Sequence, residues 1–161
     1  MAVDLLKLHE LVPIPTEFVI ERVRTEQELQ VWTRTLAQGF GEGEIEAGWI
    51  GEMYRKIGFG DHISWRHYLG WWRGEPVATT SLFMSAGVAG IYFVFTLPGA
   101  RHQGIGAAMT VAALRDAQQF GYRVGVLTAS AMGYPVYQRL GFQEYCRIEL
   151  YELTTGEEKH Q

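Results

Sequence analysis

The chain of 161 residues contains one cysteine, Cys146. An internal disulfide is therefore excluded, and the residue reads as a packed or half-buried strand position rather than a nucleophile. The five histidines, His9, His62, His67, His102 and His160, are scattered without the spacing of metal ligands, so no metal site is expected. No apolar run is long enough to span a bilayer, and no signal-peptide pattern stands at the start, so the expected location is cytoplasmic. Runs of Lys and Arg are also missing. With a net charge of −4, that argues against a nucleic-acid-binding face. There is no internal repeat and no low-complexity linker. At this length the expectation is one domain with a proper core. Hydrophobic residues make up an ordinary 47% of the chain, and most of the 19 glycines fall at expected turns.

What is present begins with an apolar lead-in over 1–16. It carries Leu5, Leu6, Leu8, Leu11 and Val12 and is closed by Pro13 and Pro15, which stop a helix. It reads as a docking arm or as the remnant of a longer parent chain. A single domain is expected over 17–155, and 156–161 reads as a polar tail. Alternation predicts a strand over 18–24. Thr25 and Glu28 form a capping-box pattern that opens a helix to about Gln38. The glycines at 39–43 end it, and a second helix is expected over 44–57. Strands follow over 62–70 and 76–85, joined by a turn at 73–76. After Ala86-Gly87 comes a strand ending at Thr96. A helix is expected over 104–120, with Met109, Ala113, Ala117 and Phe120 on its buried face and Arg115, Asp116, Gln118 and Gln119 supplying polar surface. Gly121 closes it. A strand over 123–128, a short helix over 135–140 closed by Gly141, and a last strand over 143–153 complete the order. The whole predicts a mixed α/β fold around one sheet.

The segment Arg101-His102-Gln103-Gly104-Ile105-Gly106-Ala107 lies between an expected strand and an expected helix. A glycine turn at a helix N-terminus presents unpaired N–H groups and the positive end of the helix dipole, which together cradle a pyrophosphate. The glycines let oxygen atoms approach the backbone. A nucleoside-triphosphate loop would need a Lys and a Ser/Thr that are absent. A dinucleotide fingerprint would need a third glycine where Met109 stands. The pattern that fits is Arg/Gln-x-x-Gly-x-Gly/Ala, through Arg101, Gly104 and Gly106. Downstream, Tyr137-Gln138-Arg139-Leu140-Gly141-Phe142 carries Tyr-x-x-x-Gly-Phe.

On these two motifs the chain resembles the GNAT superfamily of acyl-CoA-dependent N-acyltransferases. The resemblance is detailed in the second half and rests on element order in the first. It implies a GNAT-like fold: a mostly antiparallel, twisted central sheet, splayed at the acyl-CoA site and flanked by helices. It implies acetyl-CoA as cosubstrate, a primary amine as acceptor, and a homodimer as a fair expectation. His102, Gln103, Gly104, Ile105, Gly106 and Ala107 would contact the pyrophosphate, with Arg101 adding charge or anchoring the turn. Val94, Phe95 and Thr96 would pair with the pantetheine arm, and a backbone N–H there would stabilise the oxyanion. Pro98 should end that pairing.

Tyr137 is the candidate general acid, or else a packed core aromatic. A phenol near pKa 10 can protonate a thiolate of a thiol near 8.5. Tyr134 could substitute for it. Where the family often carries a Glu on the strand before the cradle, Gly90 stands here, which leaves the amine base open. Where it often carries Asn, Ser130 stands, still able to hydrogen-bond the cofactor arm. Glu42, Glu44 and Glu46, followed by Trp49 and Tyr54, either hold a cationic acceptor or form a solvated acidic loop. Two other functions compete: a CoA-binding module without catalysis, and a partner domain docked through the 1–12 arm.

Overall fold

The computed structural model describes residues 1–9, 12–40, 44–149 and 151. Its elements are β1 (Ala2–Asp4), β2 (Phe18–Arg22), α1 (Glu26–Phe40), α2 (Glu44–Ile57), β3 (Trp65–Trp72), β4 (Glu75–Ser85), β5 (Val88–Thr96), α3 (Ile105–Gln119), β6 (Val124–Leu127) and α4 (Tyr134–Arg139). Six strands form one sheet in the order β1-β6-β5-β4-β3-β2. Only the β5–β6 pair is parallel. The parallel pair follows from its connection, because α3 crosses over between the two strands.

Local chemistry accounts for the boundaries. At the start of α1 the Glu28 N–H donates to Thr25 Oγ1 at 3.2 Å, and the Thr25 N–H donates back to Glu28 Oε2 at 3.1 Å. This is a complete capping box. The β3–β4 turn falls on Arg73 and Gly74, both with positive φ (55° and 81°). The two mirror-image turn residues match the twist of the strands they join. Gly121 has φ 82°, and the Tyr122 N–H reaches back to the Ala117 carbonyl at 3.2 Å, closing α3 as a helix-ending glycine does.

The sheet has a cluster of buried side chains on each face. On one, Leu29, Trp32 and Leu36 of α1 and Tyr54 of α2 cover Leu69. Their spacing along α1 is that of a single helical stripe. On the other face, Ile105, Met109, Ala113, Leu114 and Ala117 of α3 pack on Ala78, Leu82, Ala89 and Ile91. A Cβ on Gly70 would stand 2.9 Å from Met109 Sδ, so glycine at that position is what lets α3 sit so close to β3.

Five expectations are corrected. Within 1–9, Ala2–Asp4 forms a strand along β6, and Val3, Leu5 and Leu8 turn into the core. Val3, Leu5 and Leu8 are thus covered by the chain's own fold, while Leu6 stays 74% exposed. The strand expected over 143–153 is reduced, among the described residues, to one bridge between Gln143 and Ala2. Since β1 occupies the edge of β6, residues 144–149 have no strand to join there. Cys146, expected to be packed, lies on that segment and is exposed. At the end of α3, Phe120 is 48% exposed, with the Arg66 guanidinium 3.8 Å above its ring. Asp116, expected at the polar surface, instead bonds the fully buried Arg66 at 2.9 Å and accepts from the Tyr68 hydroxyl.

Candidate active site

The site is built on β5. Over Val88–Ile91 this strand pairs in parallel with Val124–Leu127 of β6. Beyond Ile91 the partner has ended, and β5 continues to Thr96 with that edge unpaired by β6. The opening is sharpened by a bulge. Between the pairs Thr79↔Phe95 and Ser81↔Tyr92, β4 places Thr80 alone opposite both Phe93 and Val94 of β5. Phe93 takes the left-handed conformation, φ 51°, rare for an aromatic residue. Thr79 Oγ1 donates to the Phe93 carbonyl at 2.9 Å and holds the bulge in place.

The strand leads into the cradle. Pro98 opens a short 3-10 turn, and the Arg101 Nε donates to the Thr96 carbonyl at 3.0 Å. That bond ties the turn to the end of β5, which is the anchoring role, while Arg101 also lines the cleft beside it. Gly104 is the N-cap of α3 with φ 77°. The first N–H groups of the helix have no intrahelical acceptor and aim out of the helix end. Under them runs a cleft of about 390 Å³. It brings together Val94, Thr96, Arg101, His102, Gly104, Ile105, Gly106, Ala107, Ser130 and Tyr137. Two expected contacts are not on its wall. Gln103 is exposed outside it, and the Phe95 side chain packs against the α1–α2 cluster. A Cβ on Gly106 would lie 3.6 Å from Thr96 Oγ1, projecting across this cleft without a clash.

Tyr137 reaches the cleft from α4. Its side chain is buried, packed edge-on to Phe142 at 5.8 Å, and burial pushes its phenol pKa up. It therefore stays protonated through neutral pH. Tyr134, one turn earlier, faces elsewhere: its hydroxyl is bonded to Glu144, and it lines a separate cleft. Ser130 Oγ accepts the Gly133 N–H at 3.2 Å, and Ser130 borders both clefts. This second cleft, of about 890 Å³, lies between β6, Tyr92 and the segment 144–149.

Gly90 has a definite structural consequence. A Cβ there would stand 2.7 Å from Tyr92 Cε2 and 3.1 Å from its hydroxyl. The Tyr92 ring thus lies over the space a side chain at 90 would use. The sequence reading singles out neither Tyr92 nor the second cleft. Tyr92 carries no motif, and its position depends on the bulge that follows it.

On the first-half side, Glu42 lies outside the described residues, Glu44 opens α2, and Glu46 is exposed in its first turn. Trp49 is 69% exposed, whereas Tyr54 is buried against Trp32 and His67, so the two do not share one surface. His67 is bonded through Nδ1 to Ser81 Oγ at 2.7 Å, and burial pulls its pKa down to about 3. Among the described residues no cluster of His, Cys, Asp or Glu is arranged to hold a metal ion. Nor is any described helix long and apolar enough to cross a membrane.

A strand edge left open beside a helix-end cradle, with a phenol on the far wall, is the arrangement that the resemblance to acyltransferases implies. The chain matches the acetyltransferase (GNAT) family model over residues 43–142, and it belongs to that family. Solved structures agree on the fold. A GCN5-related N-acetyltransferase from Kribbella flavida superposes with a TM-score of 0.64 at 23% identity, over 88% of this chain and 52% of that one. The chain thus spans about half the length of that relative. A predicted acetyltransferase from Clostridium acetobutylicum, solved with acetyl-CoA, gives 0.65 at 16% identity over 89% of this chain and 99% of that one. An aminoglycoside 6′-N-acetyltransferase from Acinetobacter baumannii gives 0.66 at 19%, over 86% and 99%. No match was found among curated proteins.

Proposed function

We propose that the protein transfers the acetyl group of acetyl-CoA to a primary amine by direct attack. The observation that carries this reading is the continuity between the stretch of β5 beyond the end of β6, Tyr92–Thr96, and the N-terminus of α3. A pyrophosphate on the α3 cradle leaves the pantetheine arm to run along that edge as an added strand, with the thioester at the bulge. Val94, Phe95 and Thr96 offer backbone groups to the arm. Ser130 faces it from the opposite wall, and His102 to Ala107 with Arg101 hold the phosphates.

The neutral amine nitrogen then attacks the thioester carbonyl carbon. The carbonyl oxygen becomes an oxyanion, which accepts a backbone N–H of the β5 edge. As the tetrahedral intermediate collapses the C–S bond breaks, and Tyr137 gives its proton to the departing thiolate. A protonated phenol is matched to that task. The ammonium proton leaves by way of water, since Gly90 supplies no carboxylate and Tyr92 fills the space. Glu44 and Glu46 at the start of α2 are retained as charged groups attractive to a cationic acceptor.

The test is a calorimetric titration with acetyl-CoA, followed by an amine panel monitored by thiol release. Binding by the parent protein, its loss in Gly106→Glu, and thiol release that depends on amine are the expected results. Binding without thiol release for any amine would leave only a CoA-binding module.

A further inference from the structure

The second cleft, of about 890 Å³, has three properties that bear on the acceptor. It meets the cradle cleft at Ser130, and Tyr92 and Val94, which flank the bulge at Phe93, face one cleft each. Attack requires the nitrogen within about 3–3.5 Å of the carbonyl carbon. An acyl group delivered along β5 therefore emerges where the second cleft begins. Its walls are largely apolar and aromatic: Val126, Leu127 and Ile148 with Tyr92 and Tyr134. Tyr92 packs tilted against Trp65, ring centroids 5.4 Å apart, and is kept in place over Gly90.

The charge in the cleft is small and placed at one end. Glu144 accepts from Arg147 Nε at 2.9 Å and from the Tyr134 hydroxyl, and its side chain is 29% accessible. A carboxylate has about four acceptor sites, so the two bonds leave room for an ammonium. Glu149, Arg147 and Glu144 are the ionised side chains on the wall. Two carboxylates face one guanidinium and the Met1 α-ammonium, which lines the same cleft and acts on Glu144, so the charges of the cleft balance. The apolar walls suit an acceptor with one ammonium on an apolar body and are poor for a polyhydroxylated polycation, whose charges and hydroxyls would meet Leu, Val and Ile.

We propose that this cleft is the acceptor site and that it selects an arylalkylamine, with its ammonium on Glu144 and its ring between Tyr92 and Tyr134. The inference rests on the acetyl-transfer reading for its meaning, but it concerns a site that can be tested by binding alone. Tyr92 and Glu144 are the specificity-determining residues, and the glycine at 90 is what makes room for Tyr92.

The experiment titrates 2-phenylethylamine into the CoA-loaded protein by calorimetry, with spermidine and kanamycin as comparison amines, and repeats the series by thiol release. The expected result is tighter binding of 2-phenylethylamine than of the other two. Glu144→Gln should weaken it roughly tenfold, the scale of a lost hydrogen bond to a charged group. Tyr92→Ala should weaken it as well, while Tyr92→Phe keeps most of the affinity. Glu21→Gln, on the opposite edge of the sheet, serves as the unaffected control. CoA binding at parent strength in each variant shows that the fold is intact. The proposal is overturned if 2-phenylethylamine does not bind, if kanamycin or spermidine binds more tightly, or if Glu46→Gln weakens binding while Glu144→Gln does not. Binding that behaves as expected without thiol release would uphold the site and remove the acetyl-transfer reading.

Discussion

The carbonyl oxygen of Pro13 stands 2.2 Å from the point where a Cβ on Gly104 would project. The segment leading into β2 thus lies directly against the turn that forms the cradle. Gly104 is required twice, by that contact and by its φ of 77°.

Alanine at the two cradle glycines should therefore behave differently. Gly104→Ala meets backbone and sits at a positive φ, so it should lower stability by about 1–3 kcal/mol. For a chain of this size that is a fall of several degrees in melting temperature. Gly106→Ala meets only ordinary contacts, the nearest at 3.6 Å. It should melt with the parent protein and yet bind acetyl-CoA more weakly. Thermal unfolding and calorimetry on both variants check this. Equal melting temperatures would show that the Pro13 contact yields without cost.

Tyr137→Phe removes the proton and keeps the ring against Phe142. Acetyl-CoA affinity should be unchanged and kcat should fall by roughly 10²–10⁴, the range for loss of a general acid. A kcat within twofold of the parent would reduce Tyr137 to packing. Tyr134→Phe should leave the thiol-release step intact, because that hydroxyl faces Glu144.

His67 makes stability depend on pH. Its folded pKa, about 3, lies below the unfolded value of about 6.5. Above the unfolded value both states are neutral and nothing is lost. As pH falls from there toward 3 the unfolded chain takes a proton that the folded chain refuses, and stability drops by up to about 1.4 kcal/mol per pH unit. Urea unfolding at pH 7 and pH 5 should show a steeper loss in the parent than in His67→Gln. Parallel slopes would mean that His67 is protonated in the folded protein.

The Arg66–Asp116 pair joins β3 to α3, with the Arg66 side chain fully buried. Asp116→Ala leaves the guanidinium with only the exposed Asp61 carboxylate, 4.0 Å away, among the described ion pairs, and removing one member of a buried pair costs about 3–5 kcal/mol. Chemical denaturation measures it. A loss below 1 kcal/mol would mean that the Phe120 ring and the 58–61 turn hold the guanidinium unaided.

Much of this was legible in the sequence because the signals were local. The capping box at Thr25 and Glu28, the closing glycines 121 and 141 and the glycine cradle each act within a few residues of chain. The cradle cleft was legible for the same reason. What escaped depended on partners distant in sequence. Met1–Thr16 reads as an arm because nothing local reveals that Ala2 pairs with Val126 and Gln143. With that edge taken, residues 144–149 have no strand to join there. Asp116 looks like helix surface until Arg66 is brought beneath it. The acceptor cleft was invisible for both reasons at once, since it needs the bulge beside Tyr92 and the unpaired course of 144–149.

The bulge at Phe93 also divides β5 into two phases. Ala89 and Ile91 face the α3 side, and so does Val94, three residues on rather than two, while Phe93 and Phe95 face α1 and α2. Drawing Phe93 into strict alternation, with no residue removed, would leave a strand of good propensity in the same place and turn its last side chains inside out. Phe95 would then point at the cradle, and Val94 and Thr96 would point at Trp32. A single surplus residue thus sets which face the end of the strand turns to a ligand, and forcing it into the regular pleat would empty the site of its side chains while sparing the sheet.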